Sequence, residues 1–295
     1  MTHFRAERAA RWFAGVLLAL CCCGCGSEDP VTSDPASGES ADPVSAPGQI
    51  TIASFNVKLF AVGSRNETHI RQMAELFKQF DLIAIQGVRD FETVDRTLTL
   101  LWDQGYNFVA AASELVGEDV PEQFIFFWLN DKVEMRGIEK TWQDPEGRFV
   151  YPPYIGFFKA DGFDFVLVSV RLVSGQTEVA FLDAVYQSVL ADRAGEQDVI
   201  LAGDFILPPE DLRFDGLREH LTPLFSGEIR TTVTESALSD NIWIQPQHTA
   251  EYTGAFGVDR FDQRVFGNND QEAETAVSDH RPVWAKFSTV GPDDD

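Results

Sequence analysis

Short unbroken apolar runs recur along this chain, at residues 50–57, 81–86, 124–129, 198–202, 241–244 and 282–287. They are rich in β-branched and aromatic side chains, which predicts strands, several of them buried. Between them, Ile70, Met73, Ala74, Phe77 and Phe80 recur at helical spacing, as do Phe91, Val94, Leu98 and Leu101, and then Leu182, Val185 and Val189. Residues 153–160 and 163–172 flank Asp161-Gly162, a strong hairpin signal. Many strands with few helices between them favour sheets packed face to face with helices outside, an α/β or α+β layout. No linker-like stretch interrupts residues 49–289, which read as a single domain.

The N-terminus reads as an address. Arg5, Arg8 and Arg11 precede an apolar run at residues 12–20, too short for a comfortable membrane span but suited to an export signal. All four cysteines follow at once, at Cys21, Cys22, Cys23 and Cys25, so the exported domain has no internal disulfide. The segment resembles a bacterial lipoprotein signal, with Gly24 before a lipidated Cys25; a plain cleaved signal peptide is the alternative. Cys22 departs from the usual Leu three residues before the lipidated Cys. On this reading the protein is exported and anchored to the membrane of the bacterial cell envelope through its lipid. Residues 26–48 contain no aromatic residue and no Lys or Arg, and read as a disordered acidic tether; residues 290–295 read as a solvated acidic tail.

Charge narrows the partners. With 23 Lys+Arg against 47 Asp+Glu, the formal net charge is −24. Nucleic acid is disfavoured as a partner, because phosphate neutralisation needs clustered cations. The five histidines are scattered and no cysteine follows position 25, so no zinc site is indicated. Asp259, Asp262 and Asp270, with Asn268 and Asn269, lack EF-hand spacing and read as a solvated loop.

Polar residues recur where the apolar runs end: Asn56, Asp204, Asp240, and Asp279 with His280. Taken singly, each suits a wet strand end. Together, Ser54-Phe55-Asn56, Leu201-Ala202-Gly203-Asp204-Phe205, Ser239-Asp240-Asn241 and Ser278-Asp279-His280-Arg281-Pro282-Val283 resemble the endonuclease/exonuclease/phosphatase, or DNase I-like, superfamily over residues 49–289. The resemblance implies a four-layer α/β/β/α sandwich and metal-dependent phosphoester hydrolysis. It assigns Asp279 to fix the His280 ring, Asp204 to orient water or assist the leaving group, and Asn56 and Asp240 to support metal or phosphate. Tyr151, on a looser alignment, would face the phosphate.

Three departures fall on polar site positions. The superfamily's metal-ligand Glu is replaced by Gly87, the Asn after Gly-Asp-Phe by Ile206, and a strand-end His by Arg171. Glycine offers no ligand, isoleucine no hydrogen bond, and an arginine stays protonated. The expectation is a catalytically impaired domain in which Arg171 forms a salt-bridge network with Asp204, Asp240 and Asp279 in place of a cofactor. Asn56 and Asp279 are the candidate ligands if any metal binds. The alternative is an active phosphodiesterase or phosphatase with a modified site, using Mg²⁺ or Mn²⁺ on a phosphoester small molecule or envelope component. Asp90 and Glu92, near Gly87, read as caps of the following helix.

Overall fold

A computed structural model describes residues 42–137, 140–173, 177–193, 195–291 and 293. The export signal, Cys25 and residues 26–41 of the expected tether lie outside the described residues. In chain order the strands are β1 (Gln49–Phe60), β2 (Leu82–Val88), β3 (Phe108–Ala112), β4 (Gln123–Leu129), the short β5 (Glu134–Met135) and β6 (Lys140–Thr141), β7 (Tyr154–Ala160), β8 (Phe163–Arg171), β9 (Val199–Asp204), the short β10 (Thr222–Pro223), β11 (Asp240–Ile244), β12 (Tyr252–Val258) and β13 (Val283–Ser288). The helices are α1 (Glu67–Phe77), α2 (Phe91–Asp103), α3 (Leu182–Asp192), α4 (Asp215–Arg218), α5 (Phe261–Phe266) and α6 (Asp270–Ala276).

One sheet runs β12-β13-β1-β2-β4-β3; the other runs β10-β11-β9-β8-β7-β5, with β6 also on β7. Each contains a parallel pair, β1 with β2 and β8 with β9, and helices α1 and α3 make the crossovers that parallel pairing needs. Strand period decides the layers. Ile52, Leu82, Ala84, Phe126 and Trp128 of the first sheet meet Phe158, Phe165, Leu167, Ile200 and Ile242 of the second in the central core. Phe55, Ile83, Ile85 and Phe127 point the other way, onto Met73 and Phe77 of α1 and Leu98 and Leu101 of α2. Val166, Val168, Val199 and Leu201 cover Leu182, Val185 and Val189 of α3. The result is the expected helix–sheet–sheet–helix sandwich.

The helix ends follow local chemistry. Asn66 accepts from the His69 amide at 3.0 Å and Asp90 from the Thr93 amide at 2.9 Å, each capping the first turn of its helix. Asp90 also takes the Val62 amide at 2.9 Å, and Glu92 pairs with Arg96 at 2.6 Å, so neither carboxylate turns to the site.

Three differences from the sequence reading have physical causes. β3 and β12 read Phe-Val-Ala-Ala-Ala and Tyr-Thr-Gly-Ala-Phe-Gly-Val, too poor in β-branched residues to announce themselves, yet long-range pairing makes them strands. The expected solvated loop around Asp262 is α5 and α6, and Asp262 lies 1% exposed beneath Arg281 at 2.6 Å. The last part of the expected tether, residues 42–48, lies on the domain: the carbonyls of Pro43 and Val44 accept from Thr51 Oγ1 at 2.6 Å and Lys286 Nζ at 2.9 Å.

Gly203 marks the tightest approach between strands. A Cβ there would stand 1.9 Å from the Val170 carbonyl oxygen, which is backbone and cannot rotate away. Gly203→Ala is therefore expected to cost at least ~3 kcal/mol, the upper part of the usual overpacking range, measurable by urea unfolding.

Candidate functional site

The same two-residue period that fills the central core also builds the site. The inward rows run Ile50-Ile52-Ser54-Asn56 on β1, Leu82-Ala84-Gln86 on β2, Phe165-Leu167-Ser169-Arg171 on β8, and Ile200-Ala202-Asp204 on β9. Each row is apolar through the core and turns polar at its C-terminal end. Register gathers those ends at one edge of the sandwich: Asn56 pairs with Gln86, Arg171 with Asp204, and Asp204 with Asp240. Gln86 and Ser169, both fully buried, hydrogen-bond across the two sheets at 2.8 Å and seal the floor.

Above that floor His280 lies between two buried carboxylates. Its Nδ1 meets Asp240 at 2.9 and 3.1 Å, and its Nε2 lies 3.8 Å from Asp204 Oδ2 and 3.5 Å from Asn56 Nδ2. Asn56 donates to Asp204 Oδ2 at 2.9 Å, and the Ile206 amide to Asp204 Oδ1 at 3.0 Å. Thr231 and Ser239 hydroxyls donate to Asp240 at 2.9 and 3.0 Å. Burial opposes the imidazolium, but Asp240 and Asp204 outweigh it and push the His280 pKa up to about 10. Burial likewise raises the Asp204 carboxyl, against the pull of His280. An imidazole held protonated cannot accept a proton from water at neutral pH.

The expected roles need three corrections. Asp240, not Asp279, fixes the His280 ring; Asp279 turns away to the Lys58 ammonium. Arg171 binds Glu122 at 2.7 Å and reaches Asp204 at 3.5 Å, but among the described residues pairs with neither Asp240 nor Asp279. The cause is the inward-facing Glu122, 4% exposed, which also lies 3.8 Å from Arg89. Tyr151 is buried under the Arg171 guanidinium, 5.2 Å from its ring centroid, and its hydroxyl donates to the Val120 carbonyl at 3.0 Å instead of facing the site. Lys58 and Glu122 were not anticipated. Lys58 could have been found as the next-but-one residue after Asn56, whereas Glu122 is placed by its backbone bridge to Val116 just before β4.

The replaced positions show how the backbone accommodates them. Gly87 has φ +80°, and a Cβ there would meet Asn56 Oδ1 at 2.8 Å and the Lys58 amide nitrogen at 2.9 Å. Ile206 sits at φ +66°, a left-handed conformation that Asn adopts readily and a β-branched residue adopts only under strain.

Asp204, Asp240 and His280 form a possible acidic metal-binding cluster, with one donor from each within 4.8 Å of the others. As arranged, these donors do not suit a hard divalent cation. The imidazole itself spans the gap between the two carboxylates, and their oxygens already accept from Asn56, Arg171, Ile206, Thr231 and Ser239. The other two carboxylates are paired as well, Asp279 with Lys58 and Glu122 with Arg171.

No family model matches the sequence. The chain is 29% identical over 280 residues to the human endonuclease/exonuclease/phosphatase family domain-containing protein 1, across 81% of this chain and 49% of that protein. It thus spans about half the length of the curated relatives it matches. Among solved structures, an endonuclease/exonuclease/phosphatase family protein from Bacteroides thetaiotaomicron superposes with TM-score 0.60 at 16% identity, over 81% of this chain and 94% of that one. ANGEL2, a 2′,3′-cyclic phosphatase, superposes with TM-score 0.57 at 12% identity, over 82% and 95%. The chain has the DNase I-like fold of these structures.

The charge state of His280 sets a pH dependence. An unfolded histidine titrates near ~6.5, so the stability gained from the raised folded value is fully present below that pH and lost as pH climbs through about 10. Urea unfolding from pH 6 to pH 10 is expected to show a fall in stability that His280→Gln flattens; parallel curves for the two proteins would contradict the paired imidazolium.

Proposed function

We propose that this domain is a catalytically impaired relative of metal-dependent phosphoesterases, retained as a binding or structural domain. The observation that carries the reading is charge pairing: Asp240 and Asp204 hold His280, Arg171 joins Glu122 to Asp204, and Lys58 holds Asp279. Protein cations thus do the charge balancing that a divalent ion does in a hydrolase of this fold. A protonated His280 is a poor base, and the crowded Gly87 leaves no room for the missing carboxylate. The N-terminal pattern supports export and anchoring to the cell envelope through lipid on Cys25. An envelope component or a small phosphoester is the ligand class that suits this setting, and the net charge of −24 disfavours nucleic acid.

One observation favours a second reading, an active phosphoesterase: three potential metal donors still lie close together. Titration calorimetry of the exported domain with Mg²⁺ and Mn²⁺, alongside turnover of bis-p-nitrophenyl phosphate, separates the two. The expected result is neither submillimolar binding nor turnover. Submillimolar binding lost in Asp204→Asn, with turnover lost in His280→Ala, would establish the second reading. Restoring the superfamily residues together, as Gly87→Glu, Arg171→His and Ile206→Asn, is expected to destabilise the fold without restoring activity, because the Cβ at position 87 has no space.

A further inference from the structure

Arg65 is 8% exposed and lies outside every role described so far. Among the described residues its guanidinium forms no salt bridge within 4.0 Å; its partners are backbone carbonyl oxygens. Nη2 donates to Lys58 at 2.8 Å, Val277 at 2.8 Å and Val57 at 3.3 Å, and Nη1 to Thr275 at 3.2 Å and Ser64 at 3.4 Å. Burial pulls the guanidinium down from its ordinary value while the Asp279 charge opposes that pull. Burying a cation is costly unless its donors are satisfied; the buried Nε has no partner, so the arrangement depends on the carbonyls held at Nη1 and Nη2.

Those acceptors belong to the two segments that carry the site. Val57 and Lys58 follow Asn56 at the end of β1, where Lys58 and Leu59 take φ +37° and +59°, two successive left-handed residues without a glycine. Such strain persists only where the surroundings over-determine it. Thr275 and Val277 end α6 and lead directly into Ser278, Asp279 and His280. The last carbonyls of a helix have no intrahelical donor and carry partial negative charge, so a guanidinium suits them. Ser278 ties the same segments together, its hydroxyl donating to the Asn56 carbonyl at 2.6 Å.

We infer that Arg65 is the positioning residue of this site: its planar fork clasps the end of β1 to the end of α6 and thereby sets Lys58 against Asp279. A lysine at this position would keep the charge but lacks the rigid two-nitrogen fork that reaches both segments. The inference rests on the Lys58–Asp279 pair in the proposed function, yet its test reads contact geometry and not metal binding, so the two can fail separately.

Zero-length carbodiimide cross-linking of the full chain, read by peptide mass spectrometry, measures that contact directly. Lys58 and Asp279 have side chains 53% and 29% exposed, accessible enough to react. Their cross-link is expected in the unmodified protein and to fall roughly tenfold in Arg65→Gln, as the pair spends less time in contact. Lys159–Asp164 at 2.9 Å and Lys132–Asp81 at 2.8 Å serve as internal controls and are expected to keep their yield. Arg65→Lys is expected to lose the cross-link as Arg65→Gln does. Unchanged Lys58–Asp279 yield in either variant would overturn the inference. If the controls also vanish because the variants unfold, the unmodified protein decides. Arg65 Nη protons are expected to exchange slowly and to show hydrogen-bond couplings to the Lys58 and Val277 carbonyls, and exchange as fast as that of the half-exposed Arg136 would sink the assignment.

Discussion

Carboxylates are costly to bury, and four of them converge on one edge of this sandwich. Asp204, Asp240 and Glu122 are almost completely covered, and Asp279 stands beside them. Without opposite charge they would repel one another and take up protons. The sequence supplies that charge from four directions: Lys58 from the end of β1, Arg89 after β2, Arg171 from the end of β8, and His280 before β13. Each cation faces a carboxylate, and the site closes on itself. Removing one partner of such a set strands a buried charge, which is generally far more destabilising than the pair is stabilising.

The residues around the replaced positions are connected by charge. Without cations the clustered acids would be uncompensated. Here Lys58 stands on Asp279, and Arg171 on Glu122 and Asp204. A Cβ at Gly87 would meet Asn56 Oδ1 and the Lys58 amide nitrogen, so a side chain added there needs the end of β1 to shift.

Much of this was legible in advance. The apolar runs located most major strands, and helical spacing located α1, α2 and α3, because burial imposes period two or period 3.6 on a sequence. The strand-end residues Asn56, Asp204, Asp240 and His280 were legible for the same reason: each interrupts an apolar row near its end. What the sequence could not display was which of them meet. Whether His280 turns to Asp240 or Asp279 depends on the path of the chain between Thr231 and Asp240, and on hydroxyls that hold Asp240 in place. Glu122 lies in a charged, loop-like stretch just before β4, held by an isolated bridge to Val116 that the sequence does not announce. Arg65 offered no signal, since its partners are backbone carbonyls that every residue possesses.

At Ile206 the backbone and the side chain suit different surroundings. Its backbone keeps a left-handed conformation that suits asparagine, and its amide still donates to Asp204. A β-branched residue gains nothing from that conformation; Ile206 instead packs its side chain partly against the core beside α3. The backbone there has a shape that suits a polar residue, while the side chain packs against apolar neighbours. The same division holds at Gly203 and Asp204, where close strand contact and a buried carboxylate preserve the floor of the site. Asp204, Asp240 and His280 form one charge-paired set, in which removing either carboxylate strands the charge of the others.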